Sequence, residues 1–287
     1  MTSENLPALA YKLRQDVLKL IDRGKTGHIG GDYSMMEILV TLYFREMNVF
    51  PDDPENEGRD YFILSKGHSV ESYYAVLCEK GFLDLQDLLE RYAQFKSPYI
   101  GHPNNKLPGI EMNSGSLGHG LPVAVGIAKG LKMDKKANRV YVVMGDGELG
   151  EGSVYEGAMA ASQYGLDNLL AVIDRNGLQI SGSTEEVMHQ DHLRERFEAF
   201  GWTVFEANGH DIDALYAAME QAKSVKGRPT LIIADTVKSK GIPFAENVAS
   251  WHHHLPTEEE YQKIMDALQK KEAQLRADAS CSLKGGN

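Results

Sequence analysis

An acidic residue flanked by glycines follows a short apolar run in the middle of the chain. The run VYVVM begins at Val140 and leads into GDGELGEG, whose aspartate is Asp146. A second apolar run, LLAVID from Leu169, leads into RNGLQ, so Asn176 follows Asp146 by about thirty residues, the length of one strand–helix–strand unit. A right-handed crossover brings both side chains to the same edge of a parallel sheet. A carboxylate and an amide oxygen at one place are suitable ligands for Mg²⁺ or Ca²⁺.

The residues around Asp146 predict a phosphate site beside this cation. Gly145 and Gly147 allow a ligand to approach the backbone closely. A helix expected to begin near Glu151 directs its positive end to the same place, where helix N-termini bind phosphate groups. GDG is also a common turn, and an aspartate at a strand end often only caps a helix. The spacing to Asn176 favours a diphosphate site over these alternatives.

The other apolar runs indicate the fold that positions these residues. WTVFEA from Trp202 and TLIIAD from Thr230 are rich in β-branched or aromatic residues and, like the first two runs, are continuous rather than alternating. Such runs are typical of strands covered on both faces, as in a parallel sheet. The intervening segments GSVYEGAMAASQYG and DIDALYAAMEQAKSV have helical patterns. We therefore predict an α/β fold, a doubly wound, mostly parallel sheet with helices on both faces.

Helix signals also occur near both ends of the chain. Apolar residues from Leu6 recur with helical spacing up to Gly24. Ser34 with Glu37 forms a capping-box sequence that predicts a second helix start, and Thr257 with Glu260 predicts another. No repeat, low-complexity segment or linker is evident. We expect a single domain over 1–287, with its core over about 10–256 and a C-terminal helix over about 257–278.

Composition excludes several classes of partner. The formal net charge is −11, and no basic block occurs, so nucleic acid is not expected to bind. No apolar run approaches the roughly 20 residues that span a bilayer, and the N-terminus lacks a signal-peptide pattern. We therefore expect a soluble, cytoplasmic protein with no membrane partner. Cys78 and Cys281 are far apart and indicate neither a disulfide framework nor a zinc site.

Four segments resemble one enzyme family. GDGELGEG…DNLLAVIDRNGLQISG is similar to the thiamin diphosphate motif of transketolases, GDG followed by about thirty residues and Asn. TGHIGG, ILSKGHS and GHPNNKLPGIEMNSGSLGHGLPVAVGIAKG resemble transketolase segments in the same order, over about residues 10–256. The resemblance implies thiamin diphosphate and Mg²⁺ (or Ca²⁺) as cofactors. It implies that Asp146, Asn176 and the main-chain carbonyl of Leu178 bind the metal.

The resemblance also implies a set of cofactor-binding residues. Gly147 and its neighbours cradle the diphosphate, and Ile180 packs near the thiazolium. His119 stands where family members commonly carry Gln. Glu151 matches an acidic cluster between the two cofactor sites of a dimer, although a solvated glutamate in a first helical turn remains the alternative. The full set is Gly115, Ser116, Leu117, His119, Gly145, Asp146, Gly147, Glu148, Glu151, Asn176 and Ile180.

Of the ten histidines, four lie in transketolase-like contexts beside glycines or loop residues. We assign hydroxyl recognition and proton transfer to His68 and His252, and donor-sugar binding to His28 and His102. Cleavage of a ketose between C2 and C3 removes a proton from the C3 hydroxyl and develops an oxyanion at C2, for which neutral and cationic imidazoles are suited. Because His252 begins the run 252–254, which of the three faces the site stays open. Three consecutive histidines cannot all reach one metal ion, which disfavours zinc.

Full-length transketolases continue with a pyrimidine-binding domain, which holds the glutamate that activates the cofactor, and a C-terminal domain. The resemblance therefore implies the N-terminal subunit of a split transketolase, which acts on sugar phosphates and forms an α₂β₂ assembly with a separate C-terminal subunit. The alternatives are a split transketolase for branched or sulfonated ketoses, the α subunit of a 2-oxo acid dehydrogenase, a deoxyxylulose phosphate synthase, and a non-catalytic binding or regulatory relative. The segment GHPNNKLPGIEMNSGSLGHG favours transketolase over the other two enzymes.

Overall fold

A five-stranded parallel sheet organises the chain. In the computed structural model, which describes residues 5–284, the strand order is β1-β2-β3-β5-β4, and every neighbouring pair is parallel. The predicted α/β architecture with a parallel sheet is therefore confirmed. The strands are β1 Tyr61–Leu64, β2 Val140–Gly145, β3 Leu169–Arg175, β4 Thr203–Asn208 and β5 Thr230–Asp235.

Helices cover both faces of the sheet because successive strand residues point to opposite sides. Val143 and Val172 belong to a core cluster with α1, α3, α4, α10 and α11, whereas Val142 and Ala171 belong to a second cluster with α6, α7 and α9. The helices are α1 Leu6–Gly24, α2 Ile29–Ser34, α3 Met36–Thr41, α4 Val70–Lys80, α5 Leu85–Arg91, α6 Gly120–Met133, α7 Gly152–Gln163, α8 Thr184–Val187, α9 Leu193–Ala199, α10 Ile212–Ser224 and α11 Glu258–Lys284.

Two strands differ from the prediction. The sequence does not predict β1, because its four residues are too few for a distinct apolar run. β4 is predicted to be covered on both faces, but it lies at the edge of the sheet, and of its six residues Val204 alone is buried. Glu206 and Asn208 are exposed, whereas β1 at the opposite edge is mostly buried, so the helix layers cover the β1 edge more fully than the β4 edge.

The first predicted capping box is wrong. Ser34 ends α2 rather than capping α3, and its hydroxyl donates to the carboxylate of Asp174 over 2.6 Å. Glu37 binds Arg14 instead of reaching back to a helix N-terminus. Both polar side chains are buried, and a buried charged or polar group gains more from a charged partner than from a local cap.

The second capping box is present. The N–H of Thr257 donates to Oε2 of Glu260 over 2.8 Å, and the N–H of Glu260 donates to Oγ1 of Thr257 over 3.3 Å. The helix that follows, α11, continues to Lys284, beyond the predicted end at about 278. It packs against α1, where Nδ2 of Asn5 donates to the carbonyl oxygen of Leu275. Within residues 5–284, no helix is long and apolar enough to cross a membrane.

A buried ion pair joins α1 to α3. The Arg14 guanidinium makes two hydrogen bonds of 2.6 Å to the Glu37 carboxylate and one of 2.8 Å to the carbonyl oxygen of Tyr33. Burial acts to raise the pKa of Glu37, but Arg14 and His210 outweigh it and lower that pKa to about 2. Glu37 is therefore ionised at neutral pH, and its buried negative charge is compensated by these two partners.

Replacing Arg14 tests this dependence. Arg14→Met leaves the Glu37 carboxylate buried without its main partner, so we expect the free energy of unfolding to fall by about 3–5 kcal/mol. Lys25→Met is the control, since the Lys25–Asp22 pair is exposed and is worth less than about 1 kcal/mol. Urea denaturation of both variants measures the difference. Equal losses of unfolding free energy in the two variants would show that the buried Arg14–Glu37 pair contributes no more to stability than an exposed ion pair.

Candidate functional site

The loops that follow four of the strands open onto one cavity of ≈ 420 Å³. Parallel strands end at the same edge of a sheet, so residues distant in sequence meet there. The loops after β1, β2, β3 and β5 each contribute, together with α2 and the 252 region. The lining residues are His28, Gly31, Lys66, His68, Gly115, Leu117, Gly145, Asp146, Gly147, Glu148, Asn176, Leu178, Gln179, Ile180, Ser181, Lys238 and His252.

The tips of β2 and β3 are in direct contact. Gly145 and Asp174 are register partners, and the N–H of Gly177 donates to Oδ2 of Asp146 over 2.6 Å. The N–H of Gly147 donates to Oδ1 of the same carboxylate over 2.8 Å. Asp146 is therefore held between the two loops, with Asn176 one residue from its hydrogen-bond partner.

The oxygen groups at these tips fit a divalent cation. Asp146, Asn176 and Leu178 all line the cavity, and a carboxylate, an amide oxygen and a carbonyl form a hard-oxygen set suited to Mg²⁺ or Ca²⁺. Burial, with the nearby Asp174 carboxylate, raises the pKa of Asp146. A buried carboxylate of this kind is stabilised by positive charge, and Arg175 supplies some, with Nη1 at 3.0 Å from Oδ2 of Asp146.

Glycines shape the wall beside this oxygen set. Gly147 begins a 3₁₀ turn over Gly147–Gly150 that leads into α7, and a Cβ at Gly147 would lie 2.9 Å from the side chain of Gln179. Gly115 has φ +146°, and a Cβ there would lie 2.8 Å from the ring of His102. Such close approach excludes other side chains. Both glycines line the cavity, and they let the neighbouring loops pack closely there.

Several residues of the predicted cofactor-binding set either make structural hydrogen bonds or lie outside the cavity. Glu148 lines the cavity, but its carboxylate accepts from Ser65 and from the N–H groups of Gly118 (2.7 Å) and Gly145 (3.0 Å). It therefore braces the glycine turns. Three more residues do not line the cavity and are exposed: Ser116, His119 and Glu151.

Three of the four predicted histidines meet at the cavity. The ring centroids of His28, His68 and His252 lie 5.0–5.4 Å apart. His102 does not line the cavity but packs behind Gly115. Of the run 252–254, His252 faces the cavity, whereas His254 pairs with Glu260 at 3.0 Å.

Burial sets the protonation of these rings. Burial, then His253, His102 and Lys66, lower the pKa of His28 to about 4. Burial, then Lys238, lower the pKa of His252 to about 3, and burial lowers the pKa of His68 well below its usual value. All three are neutral at pH 7. Of the neutral and cationic imidazoles expected from the sequence, this trio supplies neutral ones, and the positive charge comes from lysines.

Sequence reasoning missed those lysines and one aspartate. Nζ of Lys66 lies 2.6 Å from Oδ2 of Asp174, and both side chains are almost fully buried. Nζ of Lys238 lies 2.9 Å from Nδ1 of His252 and 3.5 Å from the carbonyl oxygen of Leu178. A signal existed for Lys238, which closely follows the predicted strand β5, as Asp146 follows β2. Lys66 follows β1, which the sequence does not predict.

Titration of the histidines tests the effect of burial. We expect His28 and His252 to keep the ¹H NMR shifts of neutral rings from pH 8 down to about pH 5, because their pKa values are lowered. His189 is the internal control: it is exposed, and Glu185 and Asp191 raise its pKa, so it titrates at higher pH. Titration of His28 near pH 6.5 would contradict this picture.

Comparison with known proteins gives matches over nearly the whole chain. Residues 8–276 match the family described as "Transketolase, thiamine diphosphate binding domain". One subunit of the apulose-4-phosphate transketolase of Phocaeicola vulgatus is 46% identical over 265 residues, covering 92% of this chain and 94% of that protein. The 6-deoxy-6-sulfo-D-fructose transketolase subunit SqwG of Clostridium sp. (strain MSTE9) is 38% identical, covering 92% and 96%.

A solved structure matches the fold. Transketolase from Leishmania mexicana superposes with a TM-score of 0.84 at 26% identity, over 96% of this chain and 46% of that one. The chain thus spans about half the length of this transketolase, yet nearly the full length of the two bacterial subunits. The family match, these identities and the shared fold agree, and the chain belongs to the transketolase family, corresponding to its thiamine diphosphate-binding domain.

Proposed function

We propose that this chain is the cofactor-binding, N-terminal subunit of a two-subunit transketolase, which transfers a two-carbon ketol unit from a ketose phosphate to an aldose phosphate. One observation carries the proposal. The oxygen groups of Asp146, Asn176 and Leu178 line the same cavity as the half-buried histidines, in a chain of the same extent as proteins named transketolase subunits. Localisation in the cytoplasm is part of the same proposal.

Each part of the cavity has a role in this proposal. Asp146, Asn176 and the carbonyl of Leu178 hold a divalent cation, and Gly147 with its neighbours accepts the diphosphate. Gly115, Leu117 and Ile180 lie against the remainder of the cofactor. Thiamin diphosphate, when bound, supplies the stabilised carbanion chemistry needed to cleave a bond next to a ketone. The remaining steps are binding, orientation and proton transfer by this chain's side chains and by those of its partner.

The hydrogen bond from Lys238 determines what His252 can do. An ammonium only donates, so Nδ1 of His252 accepts from Nζ at 2.9 Å, and the proton of the neutral ring is on Nε2. His252 is therefore a hydrogen-bond donor to a sugar oxygen, including one that gains negative charge. Removal of the C3 hydroxyl proton is then assigned to His68 or His28. Nδ1 of His28 has no hydrogen-bond partner within the described part of the chain.

A second polypeptide is the other half of the proposal. Ile180 lines the cavity yet is 72% exposed, and Glu151 is also exposed beside α7. Exposed apolar area at the rim of a site is typical of a surface that a partner covers. We propose a C-terminal subunit that supplies the pyrimidine-binding domain, in an α₂β₂ assembly with the active sites between subunits.

The names of the relatives suggest which sugars to test first. One is named for apulose-4-phosphate and another for 6-deoxy-6-sulfo-D-fructose. We propose that this chain acts on a ketose of this unusual kind, with apulose 4-phosphate first because of the 46% identity. Common ketose phosphates are the second choice.

Asp146→Asn tests the cation site. The change keeps the shape of the side chain but removes the charge, so we expect Mg²⁺-dependent binding of thiamin diphosphate to weaken by at least about 100-fold, since even outer-shell changes at metal sites cost 10–100-fold. Asp191→Asn is the matched control, because Asp191 is exposed and does not line the cavity. Calorimetric titration in the presence of the partner measures both. Unchanged affinity in Asp146→Asn would exclude the assigned metal site.

Reconstitution tests the requirement for a partner. We expect no ketol transfer from the chain alone and a rate that rises to a plateau at one partner per chain, because the residue that activates the cofactor is assigned to the partner. A coupled assay of aldose release, with apulose 4-phosphate and a common ketose phosphate, measures this. Full activity of the isolated chain would refute the split arrangement. Absence of cofactor binding with and without the partner would favour a non-catalytic relative.

A further inference from the structure

His210 makes a hydrogen bond with each ring nitrogen, although it does not line the cavity. Nδ1 lies 2.9 Å from Oε2 of Glu37, and Nε2 lies 2.8 Å from the backbone nitrogen of Val237. The N–H of Val237 can only donate, so Nε2 accepts, and the ring proton is on Nδ1, facing the carboxylate. Arg14 keeps that carboxylate ionised by lowering its pKa. The hydrogen-bond roles of both ring nitrogens are thus determined: Nδ1 donates and Nε2 accepts.

The residue after Val237 is Lys238, which reaches the cavity. Its carbonyl oxygen accepts from the N–H of Asn247 over 3.0 Å, and the next N–H, of Ser239, donates to the carbonyl oxygen of Gly30 over 3.0 Å. Ser239 has φ +60°, a left-handed conformation that costs energy for a residue other than glycine. This turn therefore needs outside support, and His210 supplies it at Val237.

The chain before His210 is shaped to bring the ring to this turn. The N–H of Gly209 donates to the carbonyl oxygen of Asp235 over 2.7 Å, and a Cβ at Gly209 would lie 2.4 Å from Cγ2 of Thr236. The N–H of His210 donates to Oδ1 of Asn208 over 2.9 Å. A larger residue at 209 would push this segment away from the end of β5.

We propose that His210 is a positioning residue of the candidate site: by holding the main chain at Val237, it fixes Lys238 between the carbonyl of Leu178 and Nδ1 of His252. The inference rests on the proposed function, which assigns those two groups to the metal and the sugar. It connects the Arg14–Glu37 pair, through the ring of His210, to the cavity. His210 acts through Lys238 and does not itself line the cavity.

Two substitutions separate the two ends of the ring. In His210→Asn, the amide reaches the position of Nδ1 and can donate to Glu37, but nothing accepts from Val237. In His210→Gln, the longer side chain places an acceptor near the position of Nε2 and can retain the hydrogen bond from Val237. Both variants lose the imidazole. If the ring were needed only for packing, both variants would therefore change to the same extent.

Hydrogen exchange of the Val237 amide, followed by NMR in the full-length chain without cofactor, is the first measurement. We expect His210→Asn to accelerate exchange at Val237 by at least about fivefold, the effect of losing one hydrogen bond, while His210→Gln stays close to the wild type. Equal exchange in the two variants would overturn the proposal.

The accessibility of Lys238 is the second measurement. Lys238 is 2% exposed, so its amine reacts slowly with acetic anhydride. The rate of its acetylation at one fixed pH, followed by mass spectrometry, reports whether the side chain stays buried. We expect His210→Asn to accelerate acetylation of Lys238 by at least about fivefold, as for the Val237 amide, and His210→Gln to leave the rate unchanged. An unchanged rate in His210→Asn overturns the proposal.

Failure of the proposed function is distinguishable from failure of this inference. If the wild-type chain and its partner do not bind thiamin diphosphate, the function is wrong, whereas exchange and acetylation still report whether His210 holds Lys238. If His210→Asn does not fold, His210→Gln carries the test. The proposal then requires a protected Val237 amide and a wild-type rate of Lys238 acetylation in that variant, and loss of either refutes it.

Discussion

The buried ion pair between Lys66 and Asp174 is the interaction on which the arrangement of the site depends. Its atoms are 2.6 Å apart, and both side chains are almost completely buried. Taking two charges out of water costs several kcal/mol per ion, so such a pair persists only with further hydrogen bonds. Asp174 also accepts from the hydroxyls of Ser34 and Thr236, and Lys66 donates to the carbonyl oxygen of Gly31. The pair thus joins α2 to the end of β3 and to the loops after β1 and β5.

Other charged side chains near the Lys66–Asp174 pair also have specific partners. Arg175 lies against Asp146, and Lys238 donates to His252. The charge state of each of these groups therefore depends on a specific neighbouring side chain rather than on solvent. Such arrangements are typical of sites with perturbed pKa values. Neutral imidazoles next to buried ammonium groups give the cavity hydrogen-bond donors and acceptors together, as recognition of a polyhydroxylated ligand requires.

Features that depend on the local sequence pattern were predicted, whereas features that depend on contacts with residues distant in sequence were not. Strands β2, β3 and β5 are continuous apolar runs, and the spacing of Asp146 and Asn176 follows from strand–helix–strand geometry, so both were predictable. Lys66 and Lys238 could not be ranked above other lysines, because their importance comes from residues more than a dozen positions away. The capping box at Ser34 and Glu37 failed for the same reason: each side chain found a buried charged partner on another element.

The cavity takes its lining from loops after four strands, from Lys66 to Lys238. Its lining residues are spread from His28 to His252, so a half-folded chain lacks a complete binding site. Any ligand that occupies it therefore binds the complete native state alone and stabilises the entire sheet by mass action, by about 2.7 kcal/mol at a hundredfold excess over its dissociation constant. Cofactor supply in the cell would then influence how long the chain survives proteolysis, as well as how fast it works.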